Sequence, residues 1–137
     1  MSKRRTTDHL RIRVGGNHCV YCGEHPNSTE HFPPYTFCNE GWLLPCCLEC
    51  NSLAGTEFPN DFARRAEYVT GRLRWRYRKQ LRMPEWSDPE LSDLGDGIAD
   101  LVRSSQIAAD RARRRLEWPS VDYMRGLTSD YEVEEAA

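Results

Sequence analysis

The chain has 137 residues, of which 39% are hydrophobic and 29% charged, and its formal net charge is −2. This length predicts one small domain. Because so short and polar a chain can bury little core, a metal that cross-links it would help it to fold. No apolar run follows the basic N-terminus, so we expect no signal peptide, no transmembrane segment and a cytosolic or nuclear protein.

The charge is unevenly distributed along the chain. Residues 1–83 carry 13 basic against 8 acidic side chains, whereas residues 84–137 carry 6 against 13. This asymmetry predicts an N-terminal part that contacts a polyanion and a C-terminal part that keeps the protein in solution.

The first predicted element is a short strand at 10–14, where apolar and basic residues alternate before two glycines. Arg11 and Arg13 are expected to share its solvent face, either contacting phosphate or simply solvated. A loop and a hairpin follow over 24–45, with Trp42-Leu43-Leu44 as the returning strand.

Two Cys-x-x-Cys pairs, separated by 24 residues, flank this hairpin at Cys19/Cys22 and Cys47/Cys50. A two-residue spacer lets both thiolates of a pair reach one ion, and four thiolates complete the tetrahedral shell of a structural zinc. The alternative is a pair of disulfides or a set of buried free thiols, which fits a chain without a secretory signal less well. Cys38 and Cys46 are expected to be small buried apolar residues.

Three further polar residues stand between and directly after the two cysteine pairs: Glu30, His31 and Asn51. Hydrolysis of a phosphodiester needs a base that activates water and a cation that neutralises the leaving oxygen. A histidine suits the first task, and carboxylate and amide oxygens are ligands of Mg²⁺ or Mn²⁺. The alternative is that Glu30 is exposed, His31 is hydrogen-bonded in a turn and Asn51 caps a helix.

The second half of the chain is predicted to be helical. A short helix from about Cys50 ends at Gly55, and a long one spans 61–82 with apolar residues at helical spacing. Its last turns carry six basic residues and no acidic one, which predicts phosphate contacts by Arg72, Arg74, Arg76, Arg78, Lys79 and Arg82. A shorter helix starts at Asp88, and another runs from about Ile98 to Glu117. Residues 119–137 are expected to form a poorly ordered acidic tail.

The motifs Cys-x-x-Cys-Gly, Thr-Glu-His-Phe-Pro-Pro and Leu-Pro-x-Cys-x-x-Cys-Asn together resemble the zinc-containing branch of the HNH endonucleases, the ββα-metal nucleases of bacteria and phages. The resemblance covers residues 19–55. It implies that His31 is the general base, that Glu30 and Asn51 hold a catalytic divalent ion, and that the four paired cysteines hold zinc. Two positions depart from the family pattern. Glu30 stands where an Asp is usual, and the middle Asn falls on Trp42, for which Asn39 is a substitute in a shifted register.

The fold expected from this resemblance is a small α+β protein with a ββα-metal, treble-clef-like zinc core and C-terminal helices. The core spans 1–58, a helical extension spans 59–118 and the acidic tail spans 119–137. The expected function is a metal-dependent DNA endonuclease or nickase in the cytoplasm of a bacterial cell or a phage-infected host. The alternative is a non-catalytic zinc module of the same fold that binds nucleic acid or a protein partner.

Overall fold

The computed structural model describes residues 8–136, with side chains described as far as Tyr131. The basic residues Lys3, Arg4 and Arg5 and the acidic side chains after Tyr131 lie outside this range. The described residues form a three-stranded sheet and six α-helices, which confirms the predicted α+β class. The strands are β1 (Arg11–Arg13), β2 (Ser28–Phe32) and β3 (Gly41–Cys46), and the helices are α1 (Leu48–Ala54), α2 (Phe62–Arg76), α3 (Arg78–Leu81), α4 (Asp88–Ser92), α5 (Asp96–Glu117) and α6 (Ser120–Ala136).

The sheet has the order β1-β3-β2, with β1 parallel and β2 antiparallel to the central strand. In the β2–β3 hairpin, Glu30 pairs with Leu44 and His31 pairs with Leu43. Since neighbouring residues of a strand point to opposite faces, Glu30 and His31 are directed to different sides of the sheet. The burial agrees, because Glu30 is buried and His31 is half-buried.

Helix α1 follows β3 at once and completes a strand–strand–helix unit. Cys47 caps its N-terminus, where its sulfur accepts a hydrogen bond from the amide of Cys50, and Gly55 ends it with a φ of 51°. Glycine is favoured there because a left-handed backbone is costly for residues with a Cβ atom.

Helix α2 is capped by Asp61, whose side chain accepts a hydrogen bond from the amide of Arg64 at 3.1 Å. Four residues of the predicted apolar stripe, Phe62, Ala66, Val69 and Leu73, are buried in the main core, whereas its last two, Tyr77 and Leu81, are half-buried. The structure differs from the sequence prediction at Tyr77, where the helix is interrupted, so that residues 62–81 form two helices.

Helix α5 packs inward through Ala99, Ala109, Ala112 and Arg115, whereas Leu101 is 71% exposed. Alanine and the stem of an arginine form the inner face, so apolar residues alone do not mark it.

The predicted poorly ordered tail is instead helix α6. Ser120 donates a hydrogen bond to the carbonyl oxygen of Tyr21 at 3.0 Å, Thr128 is 1% exposed, and Tyr131 contacts the Trp42 ring edge-on. The acidic end of the sequence suggested disorder, but the apolar residues before it recur at helical spacing and pack on the core. Between residues 8 and 136, no helix is both long and apolar enough to cross a membrane.

Candidate metal centre and nucleic-acid interface

The sulfur atoms of Cys19, Cys22, Cys47 and Cys50 all lie within 4.8 Å of one another, and all four residues are buried. The Sγ atoms of Cys22 and Cys47 are 3.7 Å apart. Two sulfurs bound tetrahedrally to zinc at ~2.3 Å stand about 3.8 Å apart, so the spacing fits this ion. The four cysteines that the sequence predicts to share one site therefore lie in one cluster, and they could hold a metal such as zinc.

Backbone geometry shapes the two cysteine pairs. The amides of Tyr21 and Cys50 each donate to a cysteine sulfur at 3.4 Å, which stabilises thiolate charge. Gly23 closes the first pair with a φ of 78°, and a Cβ atom there would lie 2.4 Å from the ring of Trp118. Both the backbone conformation and this close packing require glycine.

The two remaining cysteines lie in different environments. Cys46 is fully buried, as predicted, with its sulfur 3.8 Å from that of Cys19. Cys38 is exposed, so its predicted burial is wrong. It lies in the loop between β2 and β3, where the chain turns at the protein surface.

Arg115 reaches the cysteine cluster from α5. Its Nη2 atom lies 3.9 Å from the Cys47 sulfur and 3.8 Å from the Cys50 sulfur, and its Nη1 atom forms a 2.6 Å ion pair with Glu49. Burial lowers the pKa of Arg115, but contacts with Cys22 and Glu49 outweigh it, so that its pKa is raised. A permanent cation thus lies beside the thiols, where it would offset the negative charge of a zinc–tetrathiolate.

Glu30 lies in the core and is 2% exposed. The Nη2 atom of Arg65 donates to both of its oxygens at 3.1 Å, and the Tyr21 hydroxyl donates to one of them at 2.6 Å. Burial raises the pKa of Glu30, against the lowering effect of Arg65 and Tyr21. The carboxylate is therefore already paired with a buried cation from α2, at the place where the sequence prediction expects a divalent ion.

Arg65 is itself 1% exposed, and its remaining donors are satisfied by backbone carbonyls. It donates at 2.7 Å to Gly55 and at 2.7 Å to Glu57, in the segment between α1 and α2. Burial lowers its pKa, but Tyr21 and Glu30 outweigh this effect and its pKa is raised. Arg65 thus joins the hairpin, the first helix and the second helix.

His31 lies on the other side of β2. Its Nε2 atom is 3.3 Å from a carboxylate oxygen of Asp8, and its ring lies 4.3 Å from that of Tyr35. About a quarter of the side chain is exposed, at 26%. Water can reach this histidine, and a carboxylate is placed to orient its ring.

Asn51 was predicted to lie at the start of a helix, but α1 begins three residues earlier, at Leu48. Its side-chain nitrogen donates to the carbonyl oxygen of Thr29 and to the hydroxyl of Ser28, both at 2.8 Å. The contact attaches α1 to β2, the strand that carries Glu30 and His31.

Among the described residues, the four cysteines are the one group of three or more Cys, His, Asp or Glu side chains close enough to hold an ion.

Arg11 was predicted to be exposed but is 6% exposed. Its guanidinium donates to the carbonyl oxygens of Pro33, Cys38 and Trp42, which fixes the loop that follows His31. Burial of the guanidinium lowers its pKa, while facing acidic groups raise it. The alternation at 10–14 identified the strand but assigned Arg11 to the wrong face.

The predicted basic segment forms an exposed face on α2 and α3. No acidic residue lies between Tyr68 and Pro84. Arg76 forms a 2.9 Å ion pair with Glu49, and Arg78 stacks on the Trp75 ring, which is itself 67% exposed. We call this surface the basic face; it comprises Arg72, Arg74, Trp75, Arg76, Arg78, Lys79 and Arg82.

Searches with this chain against protein-family models, curated proteins and solved structures find no match. The resemblance to the HNH family therefore stays a prediction of the sequence motifs. The function is therefore inferred from the positions and contacts of the residues described above.

Proposed function

We propose that this protein is a nucleic-acid-binding protein with a treble-clef-like core clamped by structural zinc, and that the basic face contacts the phosphate backbone. The single observation that carries the proposal is the exposure of this face. Arg72, Arg74, Lys79 and Arg82 are exposed along α2 and α3, in a stretch of sequence without acidic residues. Exposed Lys and Arg side chains bind nucleic acid by displacing counterions from phosphates.

The contacts of Glu30 favour this function over catalysis. A metal ion at Glu30 would compete with the guanidinium of Arg65 for the same two oxygens. Removing Arg65 from the buried carboxylate would also leave each charge without its partner. As a structural pair, Glu30 and Arg65 need no further ion.

The proposal is tested by the salt dependence of DNA binding. Arg74→Gln, Lys79→Gln and Arg82→Gln are combined in one variant, because these exposed side chains form no ion pair with the core. Arg76 is left intact because its partner Glu49 also contacts Arg115. The slope of log K against log salt on duplex DNA should fall by up to ~2.7, about 0.9 for each lost phosphate contact.

A matched control removes three exposed arginines elsewhere: Arg103→Gln, Arg114→Gln and Arg125→Gln. Both triple variants change the net charge by the same amount, so a general charge effect would weaken binding equally. A smaller slope for the basic-face variant alone supports the proposal. Equal slopes for the two variants and the wild type would contradict it.

Phosphodiester hydrolysis is a second candidate function, favoured by one observation, the contact between His31 and Asp8. A histidine with a carboxylate on one ring nitrogen is oriented to accept a proton with the other, as a general base requires. His31→Ala should then lower the rate of DNA cleavage in Mg²⁺ or Mn²⁺ by ~10²–10⁴-fold, while the affinity for DNA is retained.

The control for this experiment is His25→Ala, since His25 is exposed and lies outside the Asp8 contact. Glu30→Asp is a second test, because Asp is the commoner residue in the family that the sequence resembles. Cleavage that is lost in His31→Ala and kept in His25→Ala would establish a nuclease. Wild-type protein without cleavage in either metal, together with an inactive Glu30→Asp variant, would leave binding as the function.

A further inference from the structure

Three arginine–aromatic stacks lie between residues 58 and 78, in α2, in the loop before it and at the start of α3. Arg64 lies over the Phe58 ring at 4.9 Å from its centre, and Arg72 lies over Tyr68 at 5.9 Å. The third and closest stack places Arg78 over Trp75 at 3.9 Å. Trp75 and Arg78 both belong to the basic face.

Trp75 differs from the other three tryptophans of the chain. It is 67% exposed, whereas Trp42, Trp86 and Trp118 are all partly buried. Arg78 also donates to the carbonyl oxygen of Trp75 at 2.8 Å, which holds its guanidinium close to the ring. A large aromatic side chain exposed on a helix gains nothing from the core, and such rings commonly contact a partner.

We propose that the basic face binds single-stranded nucleic acid, with the Trp75 ring stacked on an unpaired base and the surrounding arginines on its phosphates. This inference rests on the proposed nucleic-acid binding and specifies the form of the ligand. Every base has a π-face, so such stacking tolerates different sequences. In a duplex the base faces are already stacked on one another, and a ring on a helix surface reaches only phosphates and groove edges.

The charge around Trp75 selects the partner class. Arg78 stacks on the ring, and Arg74, Arg76 and Lys79 lie within four residues of Trp75 in the sequence, so the ring stands in a strongly basic segment. An unpaired strand offers this surface both a ring and a phosphate for each nucleotide. An apolar protein segment would match Trp75 but would leave these cations without partners.

The experiment compares a fluorescein-labelled 20-mer of thymidine with a duplex hairpin whose loop is a non-nucleotide linker, so that it has no unpaired base, at one salt concentration. Trp75→Ala should weaken binding to the single strand by roughly 5- to 150-fold, the usual effect of removing one base-stacking ring. Binding to the hairpin should change less than about twofold. Trp75→Phe should recover part of the loss, and Ile107→Ala, which removes another exposed apolar side chain, should bind like the wild type.

Tryptophan fluorescence gives an independent measurement. Thymidine 20-mer should quench the emission of the wild type, and Trp75→Phe should lose that quenching while the three partly buried tryptophans remain. Equal weakening of single-strand and hairpin binding in Trp75→Ala would overturn the inference. If Trp75→Ala binds the single strand and the hairpin as tightly as the wild type does, the inference is also overturned. The proposed function then still holds, provided that the basic-face variant binds DNA more weakly. If the wild type binds neither oligonucleotide, the inference and the proposed function both fail, and Trp75 contacts another partner.

Discussion

The buried pair of Glu30 and Arg65 gives the most demanding prediction about this fold. We replace Arg65 with Met, which keeps most of the length of the side chain and removes its charge. The variant leaves the Glu30 carboxylate in the core with only the Tyr21 hydroxyl as a donor among its present side-chain partners. The carbonyl oxygens of Gly55 and Glu57 lose their donors as well.

The expected loss of stability is large. Removing one partner of a buried ion pair costs about 3–5 kcal/mol, because the other charge stays desolvated. For a chain of this size, each 1 kcal/mol lowers the melting temperature by roughly 4 °C. Arg65→Met should therefore melt ~12–20 °C below the wild type. Its neighbour Arg64 is exposed, so Arg64→Met is the matched control and should change stability by no more than ~0.5 kcal/mol.

The loss should also depend on pH. Burial already holds the pKa of Glu30 above its ordinary value of ~4.3, so the folded state binds this proton more tightly than the unfolded state. That contribution to stability is present below pH ~4.3 and is lost as the pH rises through the folded pKa. Arg65→Met removes a cause that lowers this pKa, so the folded pKa rises further. The difference in unfolding free energy between variant and wild type should be greater at pH 8 than at pH 5, close to the ordinary pKa.

Urea unfolding at saturating zinc measures this difference at both pH values. A second substitution, Glu30→Gln, removes the stranded charge and should recover part of the stability of Arg65→Met. If Arg65→Met is as stable as Arg64→Met at pH 8, the pair does not hold the fold. Glu30 would then be available for a metal ion, and its pairing with Arg65 would no longer favour binding over catalysis.

Two further predictions concern the metal centre. Cys47→Ser should lose zinc and unfold the hairpin, because the free energy of metal binding at such a site contributes to folding. Cys38→Ser, at an exposed position, should keep its zinc. Equal zinc content by elemental analysis in the two variants would refute the assignment. Arg115→Met should bind zinc ~10–100-fold more weakly in a chelator competition, because it removes the cation beside two ligand sulfurs. The exposed Arg114→Met is its control, and equal zinc affinity in the two variants would show that Arg115 serves the helix packing alone.

The features that the sequence predicts well are those set by local spacing. The two Cys-x-x-Cys pairs meet because a two-residue spacer and a following turn direct both sulfurs inward. The stripe of α2 is buried as its periodicity indicates, and Asp61 caps the helix. These interactions involve residues that are close in the chain, so their geometry follows from the backbone of one element.

The features that the sequence does not predict are buried charges with distant partners. Arg65 lies 35 residues from Glu30, and Arg115 lies 65 residues from Cys50, and each directly follows an exposed arginine in the sequence. One signal was available: Arg65 follows Phe62 by three residues and precedes Val69 by four, which places it on the buried stripe. An arginine at such a position should be assigned an acidic partner in the core.

The positions of Arg65 and Arg115 also limit how the chain can be cut. A fragment that ends at residue 58 keeps all four clustered cysteines and the entire hairpin. It lacks the two guanidinium groups that reach back to Glu30 and to the sulfurs of Cys47 and Cys50. The first helix and the hairpin are thus not a transplantable module, and an excised or grafted copy would need neutral residues at Glu30 and Glu49 before it could stand alone.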